Sequence, residues 1–328
     1  MEITVKAFYQ IENLSKPTEE LTNFLRGNYI ESKKYSVQYS LKFLEWALYG
    51  KDKYIIVMRI KRKIVGCITA VIRNVNIFSD ISDWIDLKSN SSLLHCNDCA
   101  IVNFLSVHKD YRNKSINSYP ISSILKQELF KHVVHDNLNI YGLFTIAYSD
   151  KKPLTNLNTS MQNFYFINKL RYYHRPINVK KLVKNNYLPK EIEEFKYLIK
   201  ETVKTLLPMR ENHIKMVTEI LNNSEYKLKY NYTKDEVKNI FLNNDVCKTY
   251  VQLQNDKVTN IVSFYILPSK IKESNIKLNI AYIYYCTLNN YNELLLILKI
   301  SKMPNVMVVL FVISLKRIHF FSRAIQSL

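Results

Sequence analysis

The segment from Asn103 to Lys114, NFLSVHKDYRNK, combines residue types that could bind a phosphate group. The apolar run AIVNFLSV is typical of a buried β-strand, and it leads without a turn signal into polar and basic residues. A helical pattern follows shortly afterwards. Phosphates are bound where positive charge meets the N–H groups at the start of a helix. The order strand, basic segment, helix therefore predicts a phosphate site.

The elements that would position this segment have the order of a mixed α/β layer. Ser40 is a candidate N-cap, the basic turn Lys61 to Lys63 separates two strands rich in Ile and Val, and Pro120 marks the start of the helix after the basic segment. This order favours an α/β layer over a helical bundle or a sandwich. The predicted helices cover residues 18–26, 39–48 and 121–134, the predicted strands cover residues 54–59, 64–72, 100–107 and 139–148, and a polar loop follows over 149–168.

A second series of elements with a similar order begins near residue 190. One of its strands is predicted to stop at Leu267-Pro268-Ser269, because proline cannot donate to a β-ladder. We expect two domains, residues 1–182 and 183–328, each large enough to bury a core. The predicted helices of this series cover residues 190–206, 211–222 and 233–241, and its strands cover residues 248–253, 258–266 and 279–287.

The composition is that of a globular protein. Of the 328 residues, 47% are hydrophobic and 23% are charged, which excludes an intrinsically disordered chain. The longest apolar run, Val306 to Ile313, is far shorter than the ~18 residues that span a bilayer. The first residues, MEITVK, are charged where a signal peptide would be apolar. Five scattered cysteines indicate a reducing compartment, so we expect a cytoplasmic protein.

The formal net charge of +19 is compatible with a nucleic acid, an acidic membrane surface or a polyphosphate as the partner. A codon bias towards Lys and Asn accounts for this charge equally well. We find no nucleic-acid-binding module, so we expect no specific nucleic acid partner. We also expect no metal site. The cluster from His95 to Cys99 has no second ligand pair and is predicted to be a polar loop, and His132 and His135 lack a third ligand.

Six blocks of the sequence, in the same order, resemble the eukaryotic-type N-myristoyltransferases. NFLSVHK followed by Arg112 and Lys114 is similar to the family pattern N-F-L-C-V-H-K followed by R-S-K. The resemblance extends from about residue 20 to residue 300. The other five blocks are GNYIE at 27–31, FLEWAL at 43–48, KIVGCI at 63–68, RYYHR at 171–175 and VSFYILPS at 262–269.

The resemblance implies two fused acetyltransferase-like (GNAT) domains of the α/β (α+β) class with a mixed central sheet. The first domain would bind myristoyl-CoA, and the second would complete a groove for a peptide. The implied reaction transfers the myristoyl group from the thioester to the amine of an N-terminal glycine. Myristoyl-CoA would be a co-substrate, with no permanently bound cofactor, and proteins that start with glycine would be the partners.

The resemblance also implies roles for individual residues. The backbone N–H groups of Phe104 and Leu105 would stabilise the negative oxygen of the tetrahedral transition state. Asn103 and Ser149 would orient the incoming amine. The implied myristoyl-CoA-binding residues are Phe104, Leu105, Ser106, Val107, Arg112, Asn113, Lys114, Ser115 and Ile116, and the implied peptide-binding residues are Tyr29, His174, Ser263 and Tyr282.

The sequence departs from the family pattern in ways that shape the expected activity. Lys33 and Lys34 stand where the family is acidic, which predicts a preference for neutral or acidic peptides. The family's glycine-rich block and its C-terminal carboxylate base have no counterpart, so we expect Leu328 to lie outside the acyl-transfer site and any activity to be low and to rise with pH. Two alternatives remain: a weak or inactive relative that binds acyl-CoA or an acylated peptide, and a basic nucleic-acid-binding protein.

Overall fold

A computed structural model describes residues 3–5, 8–28, 35–78, 93–112, 114–136, 140–145, 170–176, 179–184, 188, 206–224, 228–242, 245–271, 277–287 and 306–314. The chain divides into two compact units. The first unit consists of Met1–Ile30, Tyr39–Ile167 and Ser224–Tyr232. The second unit consists of Glu31–Gln38, Asn168–Asn223 and Thr233–Leu328.

The predicted helices and strands that fall within the described residues occur in the predicted order, but the structure also contains several short strands and one short helix that the sequence did not predict. The helices are α1 (Glu19–Asn28), α2 (Leu41–Ala47), α3 (Ile121–Asp136), α4 (Val179–Lys184), α5 (Ile214–Asn222) and α6 (Lys234–Phe241). The strands are β1 (Ile3–Val5), β2 (Tyr9–Asn13), β3 (Tyr35–Val37), β4 (Lys53–Ile60), β5 (Lys63–Phe78), β6 (Leu93–Val107), β7 (Lys114–Ile116), β8 (Tyr119–Pro120), β9 (Ile140–Thr145), β10 (Leu170–Pro176), β11 (Leu206–Pro208), β12 (Leu228–Tyr230), β13 (Cys247–Gln254), β14 (Lys257–Ile271), β15 (Lys277–Cys286) and β16 (Val306–Ser314).

The main sheet of the first unit has the order β2-β4-β5-β6-β9, and β12 also pairs with β5. Neighbouring strands are antiparallel except for β6 and β9, which are parallel. The predicted turn between β4 and β5 is confirmed. Lys61 and Arg62 have φ angles of 49° and 66°, which is the geometry of a two-residue hairpin that matches the right-handed twist of its strands.

Helix α3 connects the parallel strands β6 and β9 and packs on β4, β5 and β6. Gly66 allows close contact, because a Cβ atom there would lie 2.8 Å from Cδ1 of Leu125 and 2.9 Å from Cγ2 of Ile121. The apolar stripe of α3 repeats every three to four residues and faces the sheet, as its sequence predicts. The buried core on this face includes Tyr54, Ile56, Met58, Ile68, Ala70, Ile72, Ile121, Leu125, Leu129 and Val133.

The second unit is built on a sheet with the order β10-β16-β15-β14-β13-β11, and β3 also pairs with β14. Strands β15 and β16 are parallel, whereas the other pairs are antiparallel. Helix α5 contacts β14, and α6 contacts α5 and β13. A capping box begins α6: Thr233 Oγ1 accepts from the Glu236 N–H at 3.2 Å, and Glu236 Oε2 accepts from the Thr233 N–H at 2.9 Å.

Two sequence predictions about loops are wrong. Strand β14 does not stop at Leu267-Pro268-Ser269: Pro268 pairs with Asn279, and its carbonyl accepts from the Gln38 N–H at 2.7 Å. A proline lacks an N–H donor, but its carbonyl still takes part in the hydrogen bonding of the sheet. The cluster from His95 to Cys99 belongs to β6 instead of a polar loop, since its backbone pairs with β5. The helix predicted over 190–206 lies largely outside the described residues.

The segments of the two units alternate along the chain. Strand β12, from residues 228–230, joins the sheet of the first unit, where Asn231 Nδ2 donates to Asn74 Oδ1 and Asn76 Oδ1, each at 2.7 Å. Strand β3, from residues 35–37, joins the sheet of the second unit instead. Each exchanged segment pairs with a strand that is distant in the sequence, so local composition does not reveal its place.

No helix among the described residues is long and apolar enough to cross a membrane. Cys67, Cys99, Cys247 and Cys286 form no disulfide in this part of the chain. The described side chains contain no group of three His, Cys, Asp or Glu residues that could bind a metal ion.

Candidate active site

A β-bulge interrupts the pairing of β5 and β6 inside the segment that the sequence singles out. Cys67 pairs with Ser106 and Thr69 pairs with Asn103, so Ile68 alone faces two residues, Phe104 and Leu105. Phe104 has a φ angle of 49°, which is uncommon for a bulky residue. Bulges with a residue in this left-handed region change the direction of the backbone and are frequent beside active sites.

Two side chains of β5 bind the carbonyl groups of the bulge. Thr69 Oγ1 donates to the Asn103 carbonyl at 3.1 Å, and Cys67 Sγ donates to the Phe104 carbonyl at 3.3 Å. In a trans peptide group the C=O and N–H bonds point in opposite directions. The N–H groups of Phe104 and Leu105 belong to these same two peptide groups. Both N–H groups therefore point away from β5.

Two successive N–H groups on one side of a chain can bind a negatively charged oxygen. In a regular strand successive N–H groups alternate between the two sides, and the left-handed conformation of Phe104 removes that alternation. Concave sites of this kind, made from consecutive backbone donors, bind anions. The bulge thus provides the backbone geometry of an oxyanion hole.

The side of β6 to which these donors point is where its pairing with β9 ends. The last pair is Val102 with Thr145, two residues before Phe104, within the part of the chain that the structure describes. Among the described residues, no ladder pair of β9 lies opposite Phe104 or Leu105.

The side chains of the bulge pack against the protein instead of forming the site. The Phe104 ring meets the Tyr39 ring edge to face, with centroids 5.5 Å apart, and Tyr39 stacks on Phe43. Leu105 packs against the core under α3. Asn103 is exposed. The chemistry available at Phe104 and Leu105 is therefore that of their backbone.

The basic segment after β6 is bound to the end of α1. Arg112 Nε donates to the Val107 carbonyl at 3.1 Å, and its guanidinium group also donates to the Asn28 carbonyl. Burial lowers the pKa of Arg112, although a guanidinium remains charged in proteins. Asn28 Oδ1 in turn accepts from the Lys109 N–H at 3.0 Å. These bonds place the charge of Arg112 close after the bulge.

The predicted direct passage from the basic segment into the helix is wrong. Strands β7 and β8 form a hairpin before α3, and both residues of its turn, Asn117 and Ser118, have positive φ angles. Ser115 and Ile116 lie in β7 and are buried, at 1% and 0% exposure, so their side chains face the interior. Lys114 is half-buried, and its Nζ lies 5.6 Å from the centre of the Tyr111 ring.

The sequence-predicted residues of the second unit are found in its sheet. Ser263 is completely buried, and its Oγ lies 2.9 Å from Sγ of Cys247. Burial raises the pKa of Cys247 to about 11. Tyr282 stacks on Tyr265 with ring centroids 5.2 Å apart. In β10, the backbone of His174 pairs with that of Leu310 in β16. Of the remaining predicted residues, Tyr29, Lys33, Lys34, Asn113 and Ser149 lie outside the described residues.

The sequence pattern predicts no role for Cys67 and Thr69, the two β5 residues that bind the carbonyls of the bulge. One signal was available: a cysteine and a threonine two positions apart, on the same face of the apolar strand KIVGCITAVI. Their partners are 37 and 34 residues further along the chain. Only the register of β5 and β6 identifies those partners.

The chain matches models of one protein family over both of its parts. Residues 6–157 match "Myristoyl-CoA:protein N-myristoyltransferase, N-terminal domain", and residues 176–312 match the C-terminal domain of the same description. A "Glycylpeptide N-tetradecanoyltransferase" of Plasmodium falciparum is 29% identical over 274 residues, which are 78% of this chain and 58% of that protein. "Glycylpeptide N-tetradecanoyltransferase 2" of Bos taurus is 26% identical over 291 residues, with coverages of 81% and 51%.

A solved structure of Saccharomyces cerevisiae N-myristoyltransferase, with bound myristoyl-CoA and inhibitors, has the same fold. It is 21% identical, with a TM-score of 0.71, over 96% of this chain and 76% of that one. The predicted fold class, a mixed α/β fold with two acetyltransferase-like halves, is confirmed. The chain spans only 51–58% of the length of the two curated relatives above. Since both domain models of one family match successive parts of the chain, the protein belongs to the myristoyl-CoA:protein N-myristoyltransferase family.

Proposed function

We propose that this protein transfers the myristoyl group of myristoyl-CoA to the amine of an N-terminal glycine in a protein or peptide. The observation that supports this function best is the bulge at Phe104 and Leu105. Its two N–H groups point away from β5, close to the last described pair of β6 and β9. The names of the related proteins support the choice of acyl donor and acceptor.

The reaction needs a site that stabilises negative charge on the thioester oxygen. The amine nitrogen attacks the carbonyl carbon, which forms the C–N bond and places negative charge on the carbonyl oxygen. The C–S bond then breaks, CoA leaves as a thiolate, and the amine loses its proton. Loss of one backbone donor to such an oxygen costs roughly 3 kcal/mol of transition-state stabilisation. Phe104 and Leu105 would provide two of these donors.

Positive charge near the bulge would bind the phosphates of CoA. Arg112 is bound to the backbone by its side chain, and Lys114 follows two residues later on β7. Charge-assisted hydrogen bonds to phosphate are about twice as strong as neutral ones. Since Ser115 and Ile116 are buried, we assign the phosphate contacts to Arg112 and Lys114 and not to those two side chains.

The glycine amine must be oriented and deprotonated before it attacks. A free α-amino group has a pKa near ~8 and is mostly charged at neutral pH. Asn103 is exposed directly before the bulge, so it is our candidate for orienting the amine. Ser149 remains a second candidate on the resemblance alone. The resemblance implies that a C-terminal carboxylate accepts this proton in the family. Residues 315–328 of this chain lie outside the described residues.

The proposal predicts a product that mass spectrometry detects. A peptide that starts with glycine should gain one myristoyl group after incubation with the protein and myristoyl-CoA, and the same peptide with an acetylated N-terminus should gain none. In the same experiment, calorimetry measures whether the protein binds myristoyl-CoA. Binding without any acylated peptide would favour the weak or inactive relative, and absence of binding would contradict the proposed function.

A further inference from the structure

We propose that Cys67 and Thr69 are positioning residues for acyl transfer, which orient the two peptide groups whose N–H bonds form the oxyanion hole. This inference rests on the proposed function. Both residues lie on β5, two positions apart, and neither touches the reacting atoms in our proposal. They act on the Asn103 and Phe104 carbonyls.

The bulge needs these two side chains because the regular ladder is absent at that point. Between the pairs Cys67–Ser106 and Thr69–Asn103, one residue of β5 faces two residues of β6. The extra residue of a bulge is left outside the regular ladder. Thr69 Oγ1 and Cys67 Sγ bind the two carbonyls instead, at 3.1 Å and 3.3 Å. A rotation of either peptide group would break one of these bonds.

The two side chains are held in place by their own surroundings. Cys67 and Thr69 are both completely buried, on the face of β5 opposite to the face that packs under α3. Burial raises the pKa of the Cys67 thiol, and a hydrogen bond from the Ser106 backbone offsets part of this effect. The thiol therefore stays protonated and remains a donor throughout the neutral and mildly alkaline range.

A purely structural role for these residues makes different predictions from a positioning role. A buried hydrogen bond that only stabilises the fold contributes modestly to the free energy of unfolding, and its loss leaves the properties of the folded site unchanged. A positioning bond, in contrast, alters the polarisation of the bound thioester carbonyl. Polarisation is measurable by infrared spectroscopy of myristoyl-CoA labelled with ¹³C at the thioester carbonyl.

The experiment compares conservative pairs of variants of the full chain. Thr69→Val removes the hydroxyl at nearly constant shape, and Thr69→Ser restores it; Cys67→Ala and Cys67→Ser form the second pair. The matched controls remove equally buried groups elsewhere in the same unit. Thr22→Val deletes a hydroxyl that donates to the Thr18 carbonyl at 2.9 Å, and Cys99→Ala deletes a completely buried thiol of β6.

We expect the bound wild-type protein to lower the thioester stretching frequency below its value in an apolar solvent. Thr69→Val and Cys67→Ala should each raise this frequency and reduce the single-turnover rate with a glycine peptide about tenfold, which is less than the 10²–10³-fold effect of removing a donor outright. The affinity for myristoyl-CoA should stay unchanged. Thr69→Ser and Cys67→Ser should recover both the frequency and the rate. Because the serine variants retain a donor, they keep the test valid if Thr69→Val or Cys67→Ala does not fold.

The outcomes separate this proposal from the proposed function. A lowered frequency in the wild type that Thr69→Val and Cys67→Ala leave unchanged would overturn the positioning role alone. Equal losses in Thr22→Val and Cys99→Ala would also overturn it, since they would show general destabilisation. If the serine variants are as impaired as Thr69→Val and Cys67→Ala, the hydrogen bond is not the cause. A wild-type protein without a lowered frequency and without turnover would overturn the proposed function itself.

Discussion

The two units contain the same arrangement of three strands, but the bulge in this arrangement has a left-handed residue in the first unit and none in the second. In the first unit, β5 and β6 are antiparallel, and β9 joins β6 in parallel; in the second, β14 and β15 are antiparallel, and β16 joins β15 in parallel. The parallel pairing ends at Val102 in the first unit and at Tyr282 in the second. Each unit has a bulge just beyond that point.

The bulge of the second unit does not have the left-handed residue. There, Ser263 pairs with Tyr285 and Phe264 pairs with Ile283, which leaves Tyr284 as the extra residue. None of Ile283, Tyr284 and Tyr285 has a positive φ angle, in contrast to Phe104. A bulge beside a parallel pair is therefore not sufficient for an anion site, because only the left-handed residue turns two successive N–H groups to one side.

The residues that correspond to Cys67 and Thr69 also have different partners. Register places Ser263 at the position of Cys67 and Tyr265 at that of Thr69. Ser263 Oγ lies 2.9 Å from Cys247 Sγ on β13, and the Tyr265 ring stacks on Tyr282. We therefore expect the proposed oxyanion hole of the first unit to depend on the hydrogen bonds that the side chains of β5 make to the β6 carbonyls.

The largest effect is expected from the φ angle of Phe104. Phe104→Pro removes one N–H group and cannot adopt a positive φ, so acyl transfer should fall by roughly 10²–10³-fold. Phe104→Gly keeps the N–H group and adopts this φ without strain, so it should retain most of the activity. Single-turnover rates, with circular dichroism to verify folding, give the measurement. An equally large loss in Phe104→Gly would show that the phenyl ring, and not the backbone, is required.

A smaller effect is expected where α3 crosses the sheet of the first unit. Gly66→Val places a side chain against Leu125 and Ile121, and overpacking of this kind should lower the free energy of unfolding by about 1–3 kcal/mol. Gly27→Ala is the control: apart from its chain neighbours and the backbone of α1, no described atom lies within 4 Å of its added Cβ, and alanine in a helix should raise the stability by roughly 0.5–1 kcal/mol. Urea denaturation measures both changes. A neutral Gly66→Val would mean that α3 can shift away from β5.

The smallest effect is expected from a single positive charge. Lys114→Met keeps the length of the side chain but removes its charge, and it should weaken myristoyl-CoA binding several-fold, because a phosphate contact is lost. Lys257→Met removes an exposed lysine at the start of β14 in the second unit and should leave the affinity unchanged. Calorimetry at low and at moderate salt gives the values. Equal affinities for the wild type and Lys114→Met would exclude Lys114 from the phosphate site.

Several parts of the fold follow from local sequence. Ser40 caps α2 by accepting from the Phe43 N–H at 3.1 Å, and the turn at Lys61 and Arg62 joins two strands that their Ile and Val content predicts. The candidate site was also located from the sequence, since NFLSVHK carries both the strand pattern and the family resemblance. These features depend on residues that are close together in the chain.

The rest was decided by contacts between distant segments. No local rule predicts a positive φ for phenylalanine. Phe104 has this conformation where the side chains of Thr69 and Cys67 bind the carbonyls of β6 in place of the regular backbone ladder. These carbonyls are 34 and 37 residues further along the chain than the side chains that bind them. Pro268 remains inside β14 because β15 and β3 both pair with that strand. Residue types thus determined where the candidate oxyanion site lies in the sequence. Strand register determined the direction of its N–H groups, because that direction depends on which side chains of the neighbouring strand reach the carbonyls.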